Sequence, residues 1–439
     1  MEFGKHLPKG IWGGADKALP VIYGIGYVLL VVRILPMEEY GNYVLFQDIF
    51  LIVSGLALSL ALQPLVKFAA EENVRLASVL TTAVAFYSAF LALATTVVVL
   101  MRYPLGALFK SEALPTLILY LPLMVVAAHP RNIALSLLQA HLRIKEVFWV
   151  DAVHFLGAPL LVWASSRLYR FESAVDLIVI TIVSQAFSSL LGLQLARRYM
   201  RLTRSPDKED LRAVWQYGKY TLGSSLSGFV GSKADTFILS AFAGVGQLAL
   251  YNSVKVFIRA YDMMSQVVQM FIVPASSRLS SRGDTGSLVA LVEKGILFAS
   301  IVMFPLFLVY GFLARPLVEI LYHGKYLEAI PILRVLAIPA LVVPAMAVAG
   351  TTLLGLGRAR AMFWIGVQSV ILSLATYLIF IPWFGAIGAA WACTVASVIM
   401  TAICLAALKK AIPYTTKGIM SRFKDLSIFL QRQLHGRRS

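Results

Sequence analysis

The 439-residue chain is 59% hydrophobic and only 14% charged, with a mean hydropathy of +0.79. Soluble domains carry roughly 25% charged and 45–50% apolar residues, so this composition cannot supply a water-facing surface and excludes a soluble globular protein. The net charge of +17 points to a membrane surface and not to nucleic acid, because the basic residues lie between and after long apolar runs.

The apolar run that follows Lys17 is too long for the short apolar core of a secretory signal and is not closed by a small-x-small cleavage site. It reads as a retained first span. About twelve apolar segments of membrane-spanning length can be marked, near residues 11–35, 44–66, 76–100, 114–138, 147–168, 175–196, 214–242, 248–273, 288–313, 330–354, 361–381 and 385–408. Lipid offers the backbone no hydrogen-bond partners, and the runs lack the alternation of barrel strands, so each is a helix. The expected fold class is an all-α integral membrane protein.

Lys and Arg set the orientation. Arg143, Lys145, Arg197, Arg198, Arg201, Arg204, Lys208, Arg212, Arg278, Arg282, Arg358 and Arg360 belong to one set of loops. The opposite set holds far fewer, chiefly Arg102, Lys110, Arg167, Arg170, Arg315 and Lys325. The bias places both termini in the cytoplasm of a multi-pass plasma (inner) membrane protein. After Lys409, Ile419, Phe423, Leu426, Leu430 and Leu434 recur at spacings of three and four among basic residues, the pattern of an amphipathic helix on the inner membrane face. Cys393 and Cys404 share one apolar run, too far apart on one helix to be bridged, and read as small core residues.

The halves repeat each other. His141-Leu-Arg143-Ile-Lys145-Glu-Val-Phe148-Trp149 follows the fourth segment, and Leu356-Gly-Arg358-Ala-Arg360-Ala-Met-Phe363-Trp364 follows the tenth. More loosely, the stretch from Pro36 to Tyr43 matches that from Gly244 to Tyr251. Two lobes of six helices in the same orientation follow: residues 1–196 and 214–408, joined by a cytoplasmic linker at 197–213 and followed by a basic tail at 409–439.

Several stretches carry a family resemblance: Leu35-Pro36-Met-Glu-Glu-Tyr40-Gly41-Asn-Tyr43, Ala234-Asp235-Thr-Phe-Ile-Leu239 with Tyr251-Asn252, Leu321-Tyr322-His-Gly324-Lys-Tyr326, and Leu354-Gly355-Leu-Gly357-Arg358. In this order the chain resembles the oligosaccharide (O-antigen-type) flippases of the multidrug/oligosaccharidyl-lipid/polysaccharide (MOP) exporter superfamily. The resemblance covers nearly the whole chain and implies a V-shaped, MATE-like pair of six-helix lobes, alternating access and a lipid-linked oligosaccharide substrate. Membrane lipids, polysaccharide polymerases and glycosyltransferases are the implied partners. The two additional helices of the superfamily's lipid II flippases are not found.

Ionisable residues inside spans cost about 2.5–3.5 kcal/mol on insertion scales and normally face protein or a wet cavity. In the eighth segment Tyr251, Lys255, Arg259, Asp262, Gln266 and Gln269 share one helical face. A cavity-lining helix needs such a stripe; an Arg259–Asp262 ion pair that only ties helices together is the other reading. Lys17, Arg131 and Lys233 complete a candidate cationic set able to hold a phosphate, with Arg suited to bidentate contacts and Lys to point-charge ones. Lys17 can also snorkel to the surface, and Arg131 follows Pro130, which breaks the helix ladder. Asp16, Asp235 and Asp262 could bind H⁺ or Na⁺ for coupling, but each has a basic neighbour able to neutralise it, and a salt bridge is the preferred reading for all three. Asp151 and His154 lie near the inner end of the fifth segment, where His reads as structural.

The function expected is translocation of an anionic lipid-linked oligosaccharide, on a polyprenyl phosphate or pyrophosphate, to the outer leaflet. The alternative is a MATE-type multidrug cation antiporter, which favours intramembrane acids where this chain has bases. An enzyme is not expected: outer loops are short, and the sequence has no HExxH, CxxC, GxSxG or P-loop. No metal and no organic cofactor is expected.

Overall fold

The computed structural model describes residues 3–69 and 76–423. Ten helical stretches are long and apolar enough to cross a membrane. Two are far longer than a bilayer needs: Lys208–Ser281 with 74 residues and Ala359–Lys409 with 51, or roughly 110 and 76 Å if straight. Each turns back at one glycine in a backbone region closed to other residues, Gly244 at φ 81°, ψ 176° and Gly385 at φ 56°, ψ −131°. The reversals are visible in contacts across them. Tyr251 Oη donates to Asp235 Oδ2 at 3.0 Å, and a Cβ on Gly388 would meet the carbonyl oxygen of Phe380 at 2.3 Å.

Twelve membrane-length helices result among the described residues: α1 Phe3–Ile34, α2 Met37–Phe68, α3 Leu76–Leu100, α4 Leu114–Ala140, α5 Ile144–Ser165, α6 Ala174–Ala196, α7 208–243, α8 245–281, α9 Thr285–Phe312, α10 Leu327–Gly355, α11 359–384 and α12 386–409. Short helices at Arg102–Leu108, Ala314–Tyr322 and Thr416–Ser421 lie outside the spans. Phe423 is exposed beyond the last of these, and the expected tail positions Leu426, Leu430 and Leu434 lie outside the described residues.

The chain divides into two compact units, Met1–Ser253 and Val254–Ser439. In the first, α4 and α5 pack on α6, and α1 packs on α5. The buried face of α6 begins with Ala174, Leu177 and Ile178 and continues through small and polar residues, Thr181, Ser184, Gln185, Ser188, Ser189, Gly192 and Ala196. Lipid gives no hydrophobic drive for helix association, so close approach over small residues and interhelical hydrogen bonds supply it. A second seam joins α2 to α7, where a Cβ on Gly218 would meet Leu60 O at 2.0 Å and Ser59 and Ser225 hydroxyls lie 2.5 Å apart. In the second unit α10 packs against α8, α9 and the α11–α12 pair, around Val292, Val348, Leu353 and Leu408. Asp284 caps α9 by accepting from Ser287 N at 2.9 Å. These hydrogen bonds hold its exposed carboxyl below the usual carboxylate range.

The internal repeat is geometric as well as textual. At the α4–α5 joint Arg143 N bonds Leu138 O at 2.8 Å around Leu142 at φ 53°; at the α10–α11 joint Arg358 N bonds Leu353 O at 3.1 Å around Gly357 at φ 72°. Both are six-to-one helix terminations through a left-handed residue. The ring pairs that follow match too, Phe148–Trp149 at 5.3 Å and 74°, Phe363–Trp364 at 5.5 Å and 75°. In the looser repeat, Tyr43 Oη bonds Tyr27 Oη and Tyr251 Oη bonds Asp235, each reaching back sixteen residues.

Candidate functional site

The second unit carries the polar face of α8. Arg259, Asp262, Gln266 and Gln269 are exposed and Lys255 is half-buried. Tyr261, Val268, Ile272 and Ser276 point into the protein. The apolar side chains Met263, Val267, Met270 and Phe271 form a separate exposed face, as a lipid-facing surface requires. A 3₁₀ turn at Val256–Ile258 separates Lys255 from Arg259, a local tightening of the kind found at hinges. Arg259 and Lys255 are the cations near enough to act on Asp262.

The first unit holds the other candidates in two clusters. Pro130 interrupts the α4 ladder, and the gap is filled by Ser189 of α6: its hydroxyl donates to Ala127 O and accepts from Arg131 N at 3.1 Å. A side chain inserted in the ladder is a standard cause of a kink. Arg131 is thereby aimed across the unit. Its guanidinium is buried, pairs with Asp151 of α5, donates from Nε to Ser188 Oγ at 3.1 Å and lies over the Phe155 ring. Asp16 of α1 is buried, approaches the same Asp151 carboxylate, and leaves its Oδ1 without a hydrogen-bond partner. Lys17 is exposed, near enough to act on Asp151. His154 is buried against Ser184, whose hydroxyl donates to the His154 carbonyl at 3.1 Å.

The second cluster lies on α2, α7 and the start of α8. Lys233 forms an ion pair with buried Asp48. Asp235, although only two residues away, is engaged by its own Thr236 N–H at 2.8 Å and by Tyr251. Lys233 and Asp235 are therefore held by different partners. Tyr27 and Tyr43 continue the polar interior, with Gln47 donating to Tyr43 Oη at 2.8 Å and Tyr23 stacked on Tyr27 at 4.7 Å.

Asp48, Ser188, Ser189 and Tyr43 are parts of these clusters that the sequence did not mark as site residues. Asp48 carried a usable signal, being an acid inside an apolar span; the serines did not, since small polar residues also serve packing. Among the described residues no group of three His, Cys, Asp or Glu side chains is arranged to hold a metal ion.

Comparison with known proteins places this geometry. A family model described as "Polysaccharide biosynthesis protein" matches residues 30–331. The chain is 22% identical over 287 residues to a probable low-salt glycan biosynthesis flippase, Agl15, of Haloferax volcanii, covering 65% of this chain and 59% of that one. It is 20% identical over 268 residues to the teichuronic acid biosynthesis protein TuaB of Bacillus subtilis, covering 59% and 53%. It thus spans less than two thirds of either relative. Among solved structures, the lipid II flippase MurJ in an inward closed conformation superposes with a TM-score of 0.71 at 13% identity, over 93% of this chain and 89% of that one. An inward-facing multidrug resistance MATE family transporter of the MOP superfamily superposes with 0.69 at 15% identity, over 91% and 99%. The chain belongs to the polysaccharide biosynthesis protein family and has the all-α membrane fold of the MOP superfamily.

Proposed function

We propose that this protein is a flippase that moves an anionic lipid-linked oligosaccharide, on a polyprenyl phosphate or pyrophosphate carrier, from the cytoplasmic to the outer leaflet of the plasma membrane by alternating access. The observation that carries the reading is the divided surface of α8. Lys255, Arg259, Asp262, Gln266 and Gln269 form a polar strip beside an apolar one, and a strip of this kind is intolerable against hydrocarbon but natural on the wall of a wet cavity. Its bases outnumber its acids, so it attracts an anion. Arg259 and Lys255 hold the phosphate at the lipid–sugar junction, and Gln266 and Gln269 contact sugar. Membership of a polysaccharide biosynthesis family and the flippase name of a relative support the same substrate class. Of the acids Asp16, Asp235 and Asp262 that could couple transport to H⁺ or Na⁺, Asp16 is the one buried beside Asp151 with one oxygen lacking a hydrogen-bond partner.

The test is translocation of a fluorescent polyprenyl-pyrophosphate oligosaccharide in proteoliposomes. Arg259→Ala and Lys255→Ala are expected to lower the rate at least tenfold, with insertion and thermal unfolding unchanged. Full activity of both variants moves the head-group site elsewhere. A wild-type protein inactive on several such carriers, yet driving organic cations against an ion gradient, is a multidrug antiporter instead.

A further inference from the structure

The basic ends of α5 and α6 form a groove that the transport reading does not use. One cavity of 430 Å³ is lined by Lys145, Glu146, Trp149, Leu191 and Leu195. A second, of 450 Å³, shares Leu195 and continues to Gln194, Arg197 and Arg198. Glu146 is paired with Arg143, so the groove keeps the positive charge of Lys145, Arg197 and Arg198. Lys145 is oriented over the Trp12 ring at 5.7 Å, and Trp12 in turn lies against Phe148 at 5.0 Å. Below this charged rim the surface turns apolar: Trp149, Phe187 and Leu190 are exposed side chains of the same two helices.

We infer that this groove binds one anionic phospholipid of the surrounding leaflet, with its phosphate at Lys145, Arg197 and Arg198 and an acyl chain along Trp149, Leu191 and Leu195. The argument is charge complementarity combined with polarity order. A cationic rim, an indole at the interface and an apolar furrow succeed one another along the helices as phosphate, glycerol and hydrocarbon do along a lipid. Arg is suited to a bidentate phosphate contact, and basic pockets between membrane helices are a known form of head-group site. A soluble anion uses only the rim and leaves the furrow unexplained.

The experiment is native mass spectrometry of the full-length protein in detergent, titrated with phosphatidylglycerol and, separately, phosphatidylcholine. One phosphatidylglycerol is expected to bind at least tenfold more tightly than phosphatidylcholine. Lys145→Gln/Arg197→Gln/Arg198→Gln is expected to remove that preference, and the conservative Lys145→Arg/Arg197→Lys/Arg198→Lys to keep it, which separates a lost site from a misfolded protein. Leu195→Trp, filling the furrow with the charges intact, is expected to weaken binding several-fold. Equal binding of the two lipids overturns the proposal. So does an unchanged preference in the triple Gln variant, or an equal loss in Lys409→Gln/Lys410→Gln at the end of α12. Binding of polyprenyl monophosphate at the groove with none of phosphatidylglycerol also overturns it, and assigns the groove to the substrate carrier.

Discussion

Asp151 of α5 accepts the guanidinium of Arg131 from α4, while Asp16 of α1 approaches the same carboxylate with one oxygen unbonded in the protein interior. The two acids are therefore not equivalent. Asp151 holds a buried cation, and its loss in Asp151→Asn strands that charge, at a cost of about 3–5 kcal/mol. A clear fall in the unfolding midpoint is expected. Asp16→Asn leaves the ion pair intact and is expected to unfold close to wild type. If Asp16 takes up the coupling proton, this variant loses the response of transport to an imposed pH gradient while still exchanging substrate downhill. A gradient response unchanged from wild type removes Asp16 from coupling.

The α2–α7 seam makes a stability prediction with an internal control. At Gly218 a Cβ has no room beside the Leu60 carbonyl, whereas at Gly223, one and a half turns along the same helix, nothing lies within 4 Å. Gly218→Ala must push α7 off α2 and is expected to lower the unfolding temperature. Gly223→Ala gains helix propensity of up to about 1 kcal/mol and is expected to raise it slightly. Similar midpoints for the two variants show that the seam yields, and that it contributes little to stability.

The fold was legible because each of its signals is local. The apolar runs mark the helices, and the hairpin at Gly244 falls between two separately marked segments while that at Gly385 falls at the first residue of the twelfth, since a bilayer sets a length that a continuous helix overshoots. The spacing of three and four from Arg259 to Gln269 gives an exposed strip on α8, whereas Tyr251, read on the same face, is buried against Asp235 beyond the 3₁₀ turn at Val256–Ile258. The first-unit clusters were only half legible. Sequence proximity suggested Lys233 and Asp235 together, but residues two apart on a helix do not share a face, and Lys233 instead meets Asp48 from another helix. Pro130 announced a break in α4; that Ser189 fills it, and so aims Arg131 at Asp151, depends on how α6 packs against α4.

The Ser59–Ser225 contact tests alternating access. Their hydroxyls are 2.5 Å apart between α2 and α7, close enough for a pair of cysteines at these positions to be bridged. Transport by rocking lobes requires some helix contacts to open in each cycle. If this seam is one of them, Ser59→Cys/Ser225→Cys loses translocation on oxidation and regains it with reductant, while either single variant stays active. Undiminished transport by a fully cross-linked sample shows that α2 and α7 move as one body.

Glu293 and Arg422 predict how the end of the described chain is held. Glu293 is buried in α9 and accepts Arg422 at 3.0 Å, together with a longer contact from Thr415 N. The intervening short helix is capped by Thr415, which accepts from Gly418 N at 2.9 Å, and Ile419 packs on the core of the second unit. A Cβ on Gly418 would meet Glu293 Oε1 at 1.8 Å. The segment after α12 is thus fastened by one charged pair and a contact only glycine allows. Charge-assisted hydrogen bonds contribute about 1.5–3 kcal/mol each, and Arg422 is partly exposed, which lowers that figure. Glu293→Gln and Arg422→Gln are each expected to speed tryptic cleavage at Lys417 roughly tenfold, equivalent to about 1.4 kcal/mol of local opening. Gly418→Ala is expected to do the same by steric displacement with the ion-pair residues intact. Because Ile419 packs on the core of the second unit and Glu293 is buried, the global unfolding midpoint is expected to fall as well, by less than the local opening. Cleavage at the wild-type rate in all three variants means that Ile419 and the α12 end hold the segment without the Glu293 contact.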